Sequence, residues 1–142
     1  GISLIANNSI NCTISGIDYS ELMYEKAKKR NKKFIDSGIV DLRYGNILTA
    51  NMNGEKYDKI FCINVIYFWS DLLPVFQKIY SILNPGGIYC IYMLHEKEIK
   101  KLKFTKEFCK YPIEEVEAGL CEAGFKSVEY KLDTGYYIKA TK

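Results

Sequence analysis

Cys12-Thr13-Ile14-Ser15-Gly16-Ile17-Asp18, followed by Tyr19-Ser20, is the stretch that decides the fold. Its β-branched residues suit a pleated, half-buried strand, so the run reads as a strand that ends on one carboxylate. Ser20 can cap a helix that opens at once, with Glu21 near the positive end of its dipole. In open α/β sheets ligands bind outside the carboxyl ends of the strands, and an acid placed there accepts hydrogen bonds from the two hydroxyls of a ribose. The glycine-rich loop that ordinarily lies one strand upstream of such an acid is absent from the sequence. Gly1 stands where that loop would be ending.

Outward from this stretch, helix and strand patterns alternate. Residues 20–33 read as a helix with an apolar stripe from Leu22, Met23 and Ala27, extending to Phe34. Gly38 ends it, and residues 40–44 form a short strand running into Gly45-Asn46-Ile47. Residues 48–56 are polar and read as loop. Tyr57-Asp58-Lys59-Ile60-Phe61-Cys62-Ile63-Asn64 is the clearest strand, and its apolar second half predicts cover on both faces.

Asp71 caps an expected helix over residues 72–83, with Leu72, Val75, Phe76, Ile79, Tyr80 and Leu83 on its buried side. Asn84-Pro85-Gly86-Gly87 stops that helix, and residues 88–94 form another buried strand. Residues 95–110 are a charged connector. Residues 112–123 are a helix stopped by Gly124, and residues 125–131 and 136–141 alternate as a hairpin through Asp133-Thr134-Gly135. This order predicts one α/β domain over residues 1–142, with a mostly parallel sheet, helices on both faces and a closing antiparallel hairpin.

Composition narrows the function classes. The 142 residues are 48% hydrophobic, an ordinary globular value that argues against disorder. The net charge of +3 is too mild to imply nucleic acid. The basic run 26–33 falls on a helix end, where cations meet the negative end of the dipole. No apolar run has the length of a membrane span, so no membrane partner is expected. Five cysteines without C-x-x-C spacing suggest neither a disulfide framework nor a zinc site, and a reducing, cytoplasmic setting is the expectation. No residues carry metal-ligand spacing, and no metal site is expected.

Five features in register resemble the class I S-adenosylmethionine-dependent methyltransferases. They are Gly16-Ile17-Asp18-Tyr19-Ser20-Glu21-Leu22-Met23, then Tyr44-Gly45-Asn46-Ile47, then Tyr57-Asp58 leading to Asn64-Val65-Ile66-Tyr67-Phe68-Trp69, then Ile82-Leu83-Asn84-Pro85-Gly86-Gly87, and Glu122-Ala123-Gly124-Phe125. The resemblance implies a three-layer α/β/α Rossmann-like methyltransferase fold without its first strand and most of its glycine loop. It implies S-adenosylmethionine as cofactor and a small-molecule methyl acceptor. It assigns Asp18 to the ribose hydroxyls, Tyr19 and Met23 to the ribose or adenine face, Asn46 and the Ile47 amide to the adenine edge, and the Asn64 carbonyl to the cofactor's amino group. Gly1 would be the last glycine of the loop beside the methionine part.

The chain also departs from the family. Asn46 stands where the family usually has Asp, and an amide offers both donor and acceptor atoms. Without the first strand, two strands keep unpaired edges. A truncated version of a longer protein is the expectation, with self-association as a homodimer or strand-swapped assembly. No Asn- or Asp-Pro-Pro-aromatic run follows Asn64, which argues against acceptors that are exocyclic amino groups of bases.

Competing readings stand beside these assignments. Asp18 could cap only its own helix, Asn46 could be a turn residue, and Tyr67, Phe68 and Trp69 could line a pocket or cover the strand end. His95, the lone histidine, follows the fifth family strand and is the one weak candidate for a general base. At the level of function, the rivals are a catalytically inactive methyltransferase-like interaction module and an NAD(P)-dependent oxidoreductase on a related fold.

Overall fold

The structure, a computed structural model, describes residues 1–8, 11–101 and 108–142. They form two compact units, Gly1–Asn51 and Met52–Lys142. Residues 102–107 of the charged connector lie outside the described residues.

The first unit runs α1 (Ile2–Asn8), β1 (Ile14–Asp18), α2 (Glu21–Arg30), α3 (Lys32–Asp36) and β2 (Val40–Tyr44). β1 and β2 are parallel, with Ile14 opposite Val40 and Asp18 opposite Tyr44, so their carboxyl ends coincide. Ile14, Phe34 and Val40 are buried together, and Ile2, Ile5, Cys12 and Leu42 pack against them. A Cβ at Gly16 would stand 2.8 Å from Leu42 and 3.1 Å from Ile2, so this glycine admits the close approach of α1.

Ser20 caps α2 as expected, its Oγ accepting from the Met23 N–H at 3.4 Å. The expected helix over residues 20–33 is instead two helices. Asn31 turns its side-chain amide back onto the Ala27 carbonyl at 2.7 Å and closes α2 at Arg30. The Asn31 backbone N–H donates to the same carbonyl at 3.0 Å, and this local side-chain bonding is why Asn favours helix ends. The break also moves Phe34 into α3.

The second unit runs β3 (Tyr57–Ile63), a 3-10 turn (Ile66–Phe68), α4 (Leu73–Ile82), β4 (Leu83–Leu94), α5 (Glu96–Lys101), α6 (Ile113–Glu122), β5 (Ser127–Leu132) and β6 (Gly135–Thr141). Its sheet has the order β3-β4-β6-β5. β3 and β4 are parallel, while β6 is antiparallel to both β4 and β5, which confirms the closing hairpin. Asp71 accepts from the Leu73 N–H at 3.1 Å, and α4 begins at Leu73, one residue later than expected from the sequence.

α4 ends at Ile82 and the chain is already extended at Leu83, so the helix stops just before Asn84-Pro85-Gly86-Gly87 and not at it. The four residues form an outward bulge, because Tyr57 pairs with Leu83 and Lys59 with Ile88. Gly86 takes φ +75° there, a left-handed conformation suited to glycine.

The core of this unit lies on one face of the sheet. Val75, Phe76 and Ile79 of α4 and Val116 and Leu120 of α6 are buried with Tyr89, Ile91 and Met93 of β4. The opposite face corrects the expectation that β3 is covered on both sides. Phe61 is 41% exposed and Ile63 52% exposed, and their register partners Cys90 and Tyr92 point the same way. Among the described residues no helix is long and apolar enough to cross a membrane.

Candidate functional site

In the first unit the structure places Asp18 and Asn46 at one rim. Asp18 ends β1, and its carbonyl accepts from the Gly45 N–H at 2.9 Å, so the parallel ladder continues to the residue before Asn46. One oxygen of the Asp18 carboxylate accepts from the Ser20 N–H at 2.9 Å. Beside it, Tyr19 is 58% exposed and Met23 50% exposed. A carboxylate flanked by exposed apolar side chains at coincident strand ends can hold a ligand that presents hydroxyls and a flat apolar body.

Asn46 is exposed and shapes its own loop. Its Oδ1 accepts from the Leu48 N–H at 2.9 Å, and its carbonyl receives the amides of Thr49 and Ala50. This is an Asx turn, the local bond that Asn makes readily. Ile47 is half-buried between these contacts. Gly1 opens α1, with its carbonyl accepting from Leu4 and Ile5 at 3.1 and 3.2 Å.

In the second unit Asn64 follows β3 with φ 55°, in the left-handed region that Asn enters more easily than most residues. Its N–H donates to the Tyr92 carbonyl at 2.8 Å, which ties it to β4. Its Oδ1 accepts from the Tyr67 hydroxyl at 3.3 Å, and the same hydroxyl accepts a short hydrogen bond from the Leu94 N–H. Burial pushes the Tyr67 phenol up to about 12, so the hydroxyl stays protonated and able to donate.

His95 begins the chain beyond β4, half-buried and stacked on Tyr136 at 5.6 Å between centroids. Its Nδ1 accepts from the Lys97 N–H at 3.1 Å, at the start of α5. That bond puts the proton of the neutral ring on Nε2 and leaves no ring lone pair for a base.

The aromatic run after Asn64 divides by role. Tyr67 is buried, whereas Phe68 is 48% exposed. Phe108 stacks on Tyr67 at 5.9 Å and meets Phe68 edge-on at 4.8 Å. The Cys109 N–H donates to the Tyr67 carbonyl at 3.0 Å, and the Tyr111 hydroxyl donates to the Trp69 carbonyl. The segment before α6 is thereby fastened to the turn after β3. Sequence reading missed the strut role of Tyr67. The available signal was its three-residue spacing from Asn64 across a short apolar turn.

Comparison with known proteins follows the same pattern. The methyltransferase domain family matches residues 2–89. The sterol 24-C-methyltransferase of Saccharomyces cerevisiae is 27% identical over 81 residues, which is 57% of this chain and 21% of the yeast protein. The chain thus spans about a fifth of that relative's length. An S-adenosylmethionine-dependent methyltransferase from Mesorhizobium loti superposes with a TM-score of 0.80 at 13% identity, covering 99% of this chain and 85% of the other. PigF with SAH superposes with a TM-score of 0.77 at 14% identity, covering 99% of this chain and 46% of that one. These likenesses show the α/β Rossmann-like methyltransferase fold expected from the sequence. By its family match over residues 2–89 the chain belongs to the methyltransferase domain family, and its fold is the one seen in S-adenosylmethionine-dependent methyltransferases.

Proposed function

We propose that this chain is the cofactor-binding part of a methyltransferase that uses S-adenosylmethionine to methylate a small molecule, and that it is a piece of a longer protein. The observation that carries the reading is the rim of the first unit. There Asp18 ends β1 and Asn46 follows β2 where the two parallel strands end together, with exposed Tyr19 and Met23 beside Asp18. The donor set fits a nucleoside: a carboxylate for a diol, an amide side chain for a base edge, and apolar surface for a ring.

When bound, S-adenosylmethionine supplies an electrophilic methyl group on a sulfonium with a good leaving group. The protein's work is then to hold, align and exclude water. In this reading the second oxygen of Asp18 receives the ribose hydroxyls, while Tyr19 and Met23 pack on the nucleoside. Asn46 and the Ile47 amide meet the adenine edge, and the Asn64 carbonyl receives the amino group of the methionine part. Gly1, as the last glycine of the loop, lies beside that part. The sterol methyltransferase relative favours an apolar acceptor, to which the exposed ring of Phe68 is suited. The arrangement of His95 favours chemistry that needs no histidine base.

Strand pairing supports the fragment reading. β1 pairs with β2 alone and β3 with β4 alone among the described residues, and a further parallel strand would satisfy such edges. The rival reading, a non-catalytic interaction module, draws on the bond between Asp18 and Ser20, since a cap needs no ligand.

Isothermal titration tests these readings, using this chain and the chain extended upstream in its own reading frame. S-adenosylhomocysteine (SAH) should bind, and NAD should not. Binding of neither by both proteins would leave the interaction module, and binding of NAD alone would make the chain an oxidoreductase.

A further inference from the structure

We propose that Tyr67 is a positioning residue whose hydroxyl, held between the side chain of Asn64 and the N–H of Leu94, fixes the Asn64 peptide at the carboxyl end of β3. The inference rests on the reading that Asn64 receives part of the cofactor.

Asn64 sits in a backbone conformation that is sparsely populated for residues other than glycine. Such a conformation persists when its surroundings over-determine it. Here β4 grips Asn64 twice. The Tyr92 carbonyl takes its N–H at 2.8 Å, and the Leu94 N–H reaches its Oδ1 through the Tyr67 hydroxyl. One hydroxyl therefore registers the ends of two parallel strands, donating to one and accepting from the other.

Tyr67 is itself held from behind. The 3-10 turn Ile66–Phe68 folds its ring back under the strand ends, where it is 4% exposed. Phe108 stacks on that ring with an interplanar angle of 6°. The Tyr67 carbonyl takes the Cys109 N–H at 3.0 Å. The segment before α6 thus buttresses the residue that sets Asn64. A ring that served packing alone would need no hydroxyl, and a buried hydroxyl without partners would be costly. This one has both a donor and an acceptor partner, and both lie where strands end.

The test is a double-mutant cycle read by SAH binding in the upstream-extended protein, with Tyr67→Phe and Asn64→Gly as the two changes. Tyr67→Phe keeps the ring on Phe108 and removes the hydroxyl, and it should weaken SAH about tenfold. Glycine at position 64 adopts the left-handed conformation without side-chain help. In that background Tyr67→Phe should cost about twofold or less. Hydrogen exchange at the Leu94 amide should speed up in Tyr67→Phe, while the amide of Ile91 keeps its protection.

A purely structural tyrosine would give the same fold-change in both backgrounds, and that result overturns the proposal. If Tyr67→Phe does not fold, Asn64→Ala removes the acceptor and leaves the ring, and unchanged SAH affinity in that variant also overturns it. Failure of the unmodified protein to bind SAH would instead strike the cofactor reading itself and remove the positioning role with it.

Discussion

The carboxylate of Asp18 accepts a hydrogen bond from the Ser20 N–H at 2.9 Å, so one side chain both orders the start of α2 and stands at the rim of β1. Only one of its two oxygens is engaged by that bond, and the two roles can therefore be separated. Asp18→Asn keeps an acceptor for Ser20 and loses the carboxylate. Asp18→Ala loses both. In urea unfolding Asp18→Asn should stay within about 0.5 kcal/mol of the parent, and Asp18→Ala should lose about 1 kcal/mol. Both should weaken SAH by at least about tenfold, because the charged acceptor for the ribose hydroxyls is gone. Undiminished SAH affinity in Asp18→Asn would reduce Asp18 to a cap.

Much of the fold was legible because strand ends and helix stops are written locally. β2 runs from Val40 to Tyr44 as read, and Gly124, at φ +107°, follows the last helix where the sequence places a stop. The features that escaped depend on contacts between distant residues. An apolar run such as residues 60–63 does not announce which face lacks a cover, so the exposure of Phe61 and Ile63 was invisible. The break at Asn31 comes where its side-chain amide joins its own backbone N–H on the Ala27 carbonyl. The shared rim of Asp18 and Asn46 follows from parallel pairing and could be anticipated. The bonds that Asp18 and Asn46 make to their own loops, and the placement of Tyr67 beneath Asn64, emerge only from the folded backbone.

Alkaline pH should destabilise the second unit through Cys62. Its thiol contacts the Tyr89 hydroxyl at 3.2 Å, and burial raises its pKa from 9.0 to about 12. The folded state therefore keeps a proton that the unfolded chain releases. The stabilising contribution is complete below about pH 9 and is lost as pH rises towards 12. One such group sets a slope of at most about 1.4 kcal/mol per pH unit across that window. Urea midpoints at pH 7, 9 and 10.5 should be level over the first step and fall over the second. Cys62→Ser keeps a partner for Tyr89 without titrating near these values, and it should flatten the second step. An identical fall in that variant would assign the effect to other groups.

Lys142 closes the C-terminal end of α4. Its Nζ donates to the carbonyls of Tyr80 and Leu83 at 2.6 and 2.9 Å, and it lies 4.4 Å from the centroid of the Tyr80 ring. The cation thus meets carbonyls at the negative end of the helix dipole, where the Tyr80 carbonyl also takes the Leu83 N–H. Lys142→Met keeps an apolar stem and removes the charge, and it should cost about 1–2 kcal/mol in urea unfolding. Lys142→Arg should recover part of that loss, and SAH binding should follow neither change. Stability unchanged in Lys142→Met would show that water serves those carbonyls equally well.

Asn46 carries a prediction in the opposite direction, towards gain. Its Oδ1 holds the loop by accepting from the Leu48 N–H, and a carboxylate at the same position would accept equally well. Asn46→Asp should therefore leave the urea midpoint within about 0.5 kcal/mol of the parent. The substitution also supplies a charged acceptor at the adenine edge, where a charge-assisted bond outweighs a neutral one. SAH should bind about three- to tenfold more tightly to Asn46→Asp, and Asn46→Ala should lose both loop stability and affinity. Titration calorimetry on the three proteins measures this order directly. If Asn46→Asp bound no better than Asn46→Ala while keeping full stability, the residue would belong to the turn alone and the base edge would be read elsewhere.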